Sequence, residues 1–523
     1  LKNGEKRGLR RRKKKGKRSN RSVNMAEVGK TRSLCPECLK ILDAVIYEKC
    51  GKIYIEKECP EHGTFNDVYW SNSEYYYRAQ KYRKDGKGID NPNNADSKGC
   101  PFDCGLCDEH LSSTLLANID ITNRCNMCCP ICFANAGKAG YVIEPTREEI
   151  KNILIGLSNQ KPTRCTSVQF SGGEPTVRDD FPDIVNDARE LGFTHVQVAT
   201  NGKRFANDLE YAKKVRATGL NTIYFQFDGV KERPYIAARG YNALPEKIKA
   251  MENMRKANIN SIVLVPTLVK GMNDDQVGDI IRFAFENKDI VSAINFQPVS
   301  FAGRIDQDKL NEMRITLPDL AKLLEEQTNG EITREDIYPI PYVNAITNFI
   351  EAWKKEPQMK ATCHEHCGFG TYLFKDGEKI VPITRFVEIE ELFSMLEDMS
   401  EEIKNGGKMA KAKALFKITR KFPGMIDSSK APPGLNLKRM LLNVLSNGTA
   451  SSVVPFHRKA LFLGAMHFMD LYNFDIERVK RCSIHYALPN GKVIPFCSYN
   501  NLHREKYEKE VGIPLKEWKK RTA

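Results

Sequence analysis

The 523-residue sequence predicts an α/β fold built on a parallel sheet, and three observations carry that prediction. From Leu116 to about Gln327, short β-branched runs alternate with stretches of helical periodicity, the pattern of βα units. Motifs rich in cysteine, glycine and polar residues follow the first four of these runs, where a parallel sheet collects its chemistry. Charged residues make up 28 % and apolar ones 41 %, enough for a sizeable core, and no run of about 18 apolar residues offers a membrane span.

Strands are expected at Leu116–Thr122, Ser167–Ser171, His195–Thr200, Thr222–Asp228, Ser261–Leu268 and Ala293–Val299. Helices fall between them, near 146–158, 180–191, 207–217, 246–257 and 276–287. A chain of this length holds several units. The expected divisions are 1–24, 25–75, 76–115, 116–330, 331–384, 385–475 and 476–523.

Residues 1–24 carry twelve Lys or Arg against one acid, +11 of the formal +15, so the rest of the chain is nearly neutral. Such a basic tail is expected to be disordered, touching nucleic acid or anionic lipid without specificity. The near-neutral body has no basic-aromatic stripe, which argues against specific nucleic-acid binding. No apolar stretch of secretory length follows the basic residues, and sixteen cysteines without such a signal indicate metal or redox chemistry in a cytoplasmic, reducing compartment.

In 25–75, Cys35-Pro-Glu-Cys38, Cys50 and Cys59 read as two knuckles of a closed four-thiolate site. Zinc and a rubredoxin-like mononuclear iron accept the same ligands, and the site has a folding or electron-relay role. The linker 76–115 carries Cys100, Cys104 and Cys107 at C-x3-C-x2-C spacing, with His110 behind them. His110 or Cys128 would serve as fourth ligand of an auxiliary cluster there, or that position stays open; a Cys3His zinc is the alternative.

The central stretch is Cys125, Cys129 and Cys132, again C-x3-C-x2-C, on a loop leaving the first strand. Three thiolates hold three irons of a cubane [4Fe–4S] cluster and leave one iron open. After the second strand comes Ser171-Gly172-Gly173-Glu174-Pro175, after the third Thr200-Asn201-Gly202, and after the fourth Gln226-Phe227-Asp228-Gly229. Glycines let backbone approach a ligand closely, and a carboxylate there receives an ammonium.

The cysteine spacing, with the Gly-Gly-Glu-Pro motif some forty residues on, resembles the radical S-adenosylmethionine family. The resemblance implies a partial (β/α)6 TIM-like barrel. It also implies that the open iron chelates the methionine moiety of S-adenosylmethionine and that reductive cleavage yields a 5′-deoxyadenosyl radical. Cys125, Cys129 and Cys132 are then the catalytic cluster ligands, and Gly172, Gly173, Glu174, Asn201 and Asp228 the cofactor-binding set.

Past the barrel, Cys363, Cys367, Cys482 and Cys497 form a second four-thiolate set, two halves of a C-terminal iron–sulfur domain with His364 and His366 as alternative ligands. In the insertion 385–475, residues 408–439 hold nine Lys or Arg against Asp427, followed by an apolar run read as a helix, Leu461–Met469. A basic segment flanking apolar helices suits a peripheral membrane surface; a charged face over a helical core is the alternative. The whole arrangement resembles the archaeal tetraether lipid synthases. That implies three [4Fe–4S] clusters plus one mononuclear iron or zinc, an external low-potential electron donor, and a diether phospholipid substrate whose isoprenoid ends are joined by a C–C bond inside a long apolar tunnel. The competing expectation is a radical methyltransferase acting on a pterin, which a polar pocket matching a pterin edge would favour.

Overall fold

The computed structural model describes residues 25–92, 99–102, 104–407, 409–435, 437 and 454–522; the basic tail, and most of the apolar stretch around 435–445, lie outside them. Strands β1 (Ala26–Leu34), β2 (Ile41–Lys49), β3 (Lys52–Cys59) and β4 (Gly63–Trp70) form an antiparallel meander.

The main sheet starts at β5 (Leu116–Thr122). After the two-residue β6 (Tyr141–Val142) come β7 (Ser167–Gly172), β8 (His195–Thr200), β9 (Thr222–Gln226), β10 (Ile262–Val265), the short β11 (Thr267–Leu268) and β12 (Val291–Pro298). Six of them pair in parallel in the order β5-β7-β8-β9-β10-β12. Helices Arg147–Ser158, Phe181–Glu190, Leu209–Ala217, Leu244–Lys256 and Val277–Glu286 cover the outer face at the expected places. The first opens on a capping box, Thr146 and Glu149 satisfying each other's backbone N–H.

Alternation within each strand decides which residues meet the helices. Ile119, Val168, Phe170, Val196, Val198, Ile223, Phe225, Ile294 and Phe296 pack into the core. Their neighbours Asn118, Gln169, Gln197, Tyr224, Gln226, Asn295 and Gln297 line the space enclosed by the sheet.

The C-terminal third extends the sheet at both edges. β13 (Tyr338–Pro339), β14 (Gly368–Asp376) and β15 (Lys379–Pro382) join one side through β16 (Leu461–Met466), which lies parallel to β12. On the other side β17 (Ile484–Ala487) runs parallel to β5, with β18 (Val493–Pro495) antiparallel beyond it; β19 (Ile513–Pro514) pairs with β6. The expected helix at Leu461–Met469 is therefore a barrel strand: its apolar run is buried on both faces, where helix and strand share one pattern. The insertion's helices, Ile389–Asn405 and Ala410–Lys421, bury their apolar faces in a core of their own with Phe349, Phe374 and Phe422. No helix among the described residues is long and apolar enough to cross a membrane.

Segment 467–483 carries the chain from one edge to the other, and the N-terminal meander docks on it. Arg314 donates to Asp67 of β4 and to Asp470 of the crossing segment, each at 2.6 Å. Lys57 donates to Ser33 and to the Leu471 carbonyl, and Thr31 and Tyr69 donate to Asp475. Arg314→Leu strands two buried carboxylates, so it should cost about 3–5 kcal/mol. The measurement is thermal unfolding together with limited proteolysis, which should cut within 25–75 first.

Candidate active site and metal centres

The loop after β5 is held from four sides. Arg124 forms a two-point pair with Glu144, which also accepts from Thr122. Arg304 donates to the Cys129 carbonyl at 2.7 Å and to Asn135, while its backbone pairs with Cys132. Arg239, fixed by two bonds to the buried Asp228, donates to the Ile131 carbonyl. The glycines of the Gly-Gly-Glu-Pro motif complete the clamp. Gly173 N–H donates to Thr122 and Glu174 N–H to Arg124, and a Cβ on Gly172 or Gly173 would sit 2.1 or 2.3 Å from those carbonyl oxygens. The close approach that these glycines permit is to the cysteine loop.

Cys125, Cys129 and Cys132 line one wall of a cavity of about 360 Å³; Cys128 is exposed outside it. Burial, with the Glu174 carboxylate nearby, pushes the Cys125 thiol up to about 12. A free thiol there stays protonated, and thiolate forms with metal binding. Three convergent thiols suit a cluster with one open iron.

Glu174 is almost fully buried on the same cavity. Its Oε1 accepts from Thr176 and Thr200, and its Oε2 accepts from the Asn201 N–H at 2.6 Å. Gly172, Gly173 and Asn201 share that rim. Asp228 does not line it: both its oxygens bind Arg239, so it acts behind the cysteine loop. Lys247, buried beneath, donates to the Asn201 carbonyl and to Gln226 Oε1; burial lowers its pKa to about 8.

Sequence reasoning missed the cavity's interior. Gln197 donates to Gln169, which donates to Asn118, each at 2.6 Å, and the Tyr224 hydroxyl accepts from Asn295 and Gln297. The cavity is also lined by a cluster of aromatic rings, Phe133, Phe468, Phe496 and Tyr486, with Phe468 and Phe496 stacked at 4.1 Å between ring centroids and Tyr486 in register beside Asn118.

At the N-terminal site the ligand set differs from the expected one. Cys35, Cys38, Cys59 and His62 converge, with Cys59 Sγ 3.5 Å from His62 Nδ1 and 3.8 Å from Cys38 Sγ. Cys50 is exposed in the β2–β3 turn, at the opposite end of a nine-residue strand, roughly 30 Å away. Its φ of 53° and the 72° of Gly51 make that turn an ordinary tight hairpin. The signal for His62 was present: Cys59-Pro-Glu-His62 repeats Cys35-Pro-Glu-Cys38 with histidine in the last place.

Cys100, Cys104 and Cys107 share a crevice with Glu109, His110 and Lys480. His110 donates Nε2–H to the Cys482 carbonyl at 2.7 Å, which leaves the lone pair on Nδ1; burial lowers its pKa to about 4, so the ring is neutral. Cys363, Cys367, Cys482 and Cys497 come together at the seam, near enough for their charges to act on one another. His364 and His366 beside them are buried, not surface residues, and His366 stacks on Tyr76 at 4.1 Å.

A cysteine loop after the first strand of a parallel six-unit sheet, clamped by a glycine-rich rim, defines a radical S-adenosylmethionine barrel, and residues 119–284 match the radical SAM superfamily. Residues 28–71 match the HMPTM N-terminal zinc ribbon domain. The chain belongs to the family of the Methanocaldococcus jannaschii 7,8-dihydro-6-hydroxymethylpterin dimethyltransferase, to which it is 51 % identical over 494 residues, 94 % of this chain and 97 % of that one. A GTP 3′,8-cyclase of Clostridium acetobutylicum is 22 % identical over 38 % of this chain and 62 % of its own. The Fe-coproporphyrin III synthase of Methanosarcina barkeri is 27 % identical over 54 % and 63 %. Membership of the superfamily brings S-adenosylmethionine and a [4Fe–4S] cluster.

The full-length relationship overturns the tetraether expectation, and the cavity agrees. Its lining carries seven side-chain amides, none of the described residues of 408–439 lines it, and of Leu461–Met469 only Met466 and Phe468 do, from a strand end and the stretch after it and not from a helix.

The backbone N–H of Glu61 and the His62 ring hold the Cys59 thiol down to about 6. A lowered pKa means the thiolate persists above that value, and its contribution to metal binding is lost as pH falls through it. Protons compete with the metal for these ligands, so metal retention in 25–75 should weaken as the pH falls. His62→Ala should strip that metal at neutral pH while Cys50→Ser leaves it, as counted by elemental analysis.

Proposed function

We propose that this protein is a radical S-adenosylmethionine methyltransferase acting on a reduced pterin. The observation that carries this reading is the cavity's mixed lining: a set of amides and a phenol together with a cluster of aromatic rings. A flat heteroaromatic ring with an amino-oxo edge needs both, in-plane hydrogen bonds for orientation and a face to stack on.

Hydrogen bonds fix which way the amides point. Gln226 Oε1 is taken by Lys247, so its N–H groups remain for a ring carbonyl or nitrogen. Asn295 and Gln297 spend an N–H each on Tyr224, which leaves their oxygens for a ring amino group and the Tyr224 O–H free to donate. When bound, the cluster and S-adenosylmethionine supply a 5′-deoxyadenosyl radical, able to take a hydrogen atom from carbon that no base deprotonates. Cys125, Cys129 and Cys132 are the ligands of that cluster, and Glu174 and Asn201 the polar rim for the methionine moiety. Iron–sulfur clusters at Cys100/Cys104/Cys107 and at the C-terminal set, charged by a low-potential donor, complete the cofactor complement.

The test incubates reduced, iron-reconstituted protein with S-adenosylmethionine and 7,8-dihydro-6-hydroxymethylpterin and follows product mass. Gain of one or two methyl groups is the expected result; 5′-deoxyadenosine formed without any methylated pterin would overturn the reading. Replacing Cys125, Cys129 and Cys132 with alanine should abolish 5′-deoxyadenosine while sparing the other metals. Gln226→Leu and Gln297→Leu should each cost about 1 kcal/mol, roughly a fivefold rise in pterin KM, with cofactor cleavage retained.

A further inference from the structure

Arg478 is a buried cation without a carboxylate. It lies in the helix Ile476–Lys480, only 2 % exposed. The five other buried arginines among the described residues each hold an acid: Arg178 has Asp180, Arg239 has Asp228, Arg314 has Asp67 and Asp470, Arg481 has Asp85, and Arg504 has Asp120. Arg478 makes no such pair with any described residue. Its Nη2 donates to the His467 carbonyl at 2.9 Å, its Nε finds no acceptor, and the Tyr69 ring lies 5.7 Å from its guanidinium carbon.

Burying an uncompensated charge is costly, and a phenol ring repays only part of that cost. The groups whose charge acts on this guanidinium are sulfurs, Cys367 and Cys497; the same segment that accepts from Arg478 donates its His467 N–H to the Cys367 carbonyl at 2.9 Å and its Met469 N–H to Cys497 Sγ at 3.3 Å. Four protonated thiols would leave it uncompensated, whereas four metal-bound thiolates would not. Zinc with four thiolates is also an anion, but it is redox-inert, whereas a cluster with four thiolates is an anion that gains one more negative charge on reduction.

With Cys363, Cys367, Cys482 and Cys497 taken as iron–sulfur ligands, as in the function proposed above, we propose that Arg478 is the counter-ion of that anionic cluster and raises its reduction potential. The fixed positive charge favours the reduced state, and the Met469 N–H aimed at Cys497 Sγ acts in the same direction. Placement gives the tuning a use. Cys497 follows Phe496, and its Sγ accepts from the Met469 N–H at 3.3 Å, so the centre sits directly behind the Phe468–Phe496 wall of the substrate cavity. This inference does not depend on which substrate fills that cavity.

The test uses full-length, anaerobically reconstituted protein. Cys482→Ser should lose one cluster's share of iron and sulfide together with one electron paramagnetic resonance signal. In Arg478→Gln the same iron and sulfide should remain, but the midpoint potential of that signal should move to more negative values, while Arg478→Lys, which keeps the charge, should stay near the wild type. Metal removal gives a second readout that survives poor folding of the Gln variant: stripping iron should lower the wild-type Tm, because it exposes the unpaired guanidinium, and should lower it less in Arg478→Met. Zinc in place of iron at these cysteines, an unchanged midpoint in fully loaded Arg478→Gln, or equal losses of Tm in wild type and Arg478→Met would each overturn the proposal.

Discussion

A parallel sheet that stops at six strands leaves two edges of unpaired backbone N–H and C=O groups, and most of this molecule follows from covering them. β16 pairs with β12 and β17 with β5, so one C-terminal region caps both edges. To do so the chain must cross from one edge to the other, and the crossing segment 467–483 places Phe468, Arg478 and Cys482 across the gap. The same segment supplies Asp470 and Asp475 as the dock for the N-terminal meander. Seam, C-terminal cysteines and ribbon thus meet on one segment.

Within the barrel, the metal-binding loop is ordered by the protein's own bonds. Asp228 and Arg239 show how: the carboxylate never reaches the cavity, yet it holds charged the guanidinium that grips the Ile131 carbonyl. Buried ion pairs contribute little net stability but impose geometry when every donor is used. Arg304 and the N–H groups of Gly173 and Glu174 grip neighbouring carbonyls from Thr122 to Cys129, with Gly172 leaving room for the approach. Backbone carbonyls need partners wherever they are buried, so the clamp satisfies the loop and positions three thiols at once.

The barrel was legible in the sequence because its two periods, 2 and 3.6, switch cleanly at each element; strands such as Leu116–Thr122 and His195–Thr200 coincide with the expected ones residue for residue. Cysteine spacing made the metal loops legible but not their partners. Cys50 was grouped with Cys35, Cys38 and Cys59 by residue type, whereas strand length decides which ends of a meander meet, and that places His62 there instead. The cavity interior was also written in plain view. Asn118 beside Ile119, Gln169 beside Phe170, Gln197 beside Val198, Tyr224 and Gln226 around Phe225, and Asn295 and Gln297 around Phe296 repeat one alternation, polar toward the axis and apolar toward the helices. A fully closed barrel core would carry branched apolar residues at both.

That alternation is what a lipid reading of the chain overlooks. The basic, apolar stretch after residue 408 and the run at 461 are neighbours in sequence, but one forms a separate helical core and the other a central strand. Their adjacency therefore says nothing about a shared surface. Five strands placing amides or a phenol on one axis say far more, because each buried polar group must find a partner and the partners found here leave a directed set of donors and acceptors unspent. A saturated hydrocarbon chain would leave those groups unpaired, whereas the amino-oxo heterocycle proposed above would offer them partners. Under the proposed reading, the groups that a hydrocarbon leaves unpaired are the ones that orient the pterin ring.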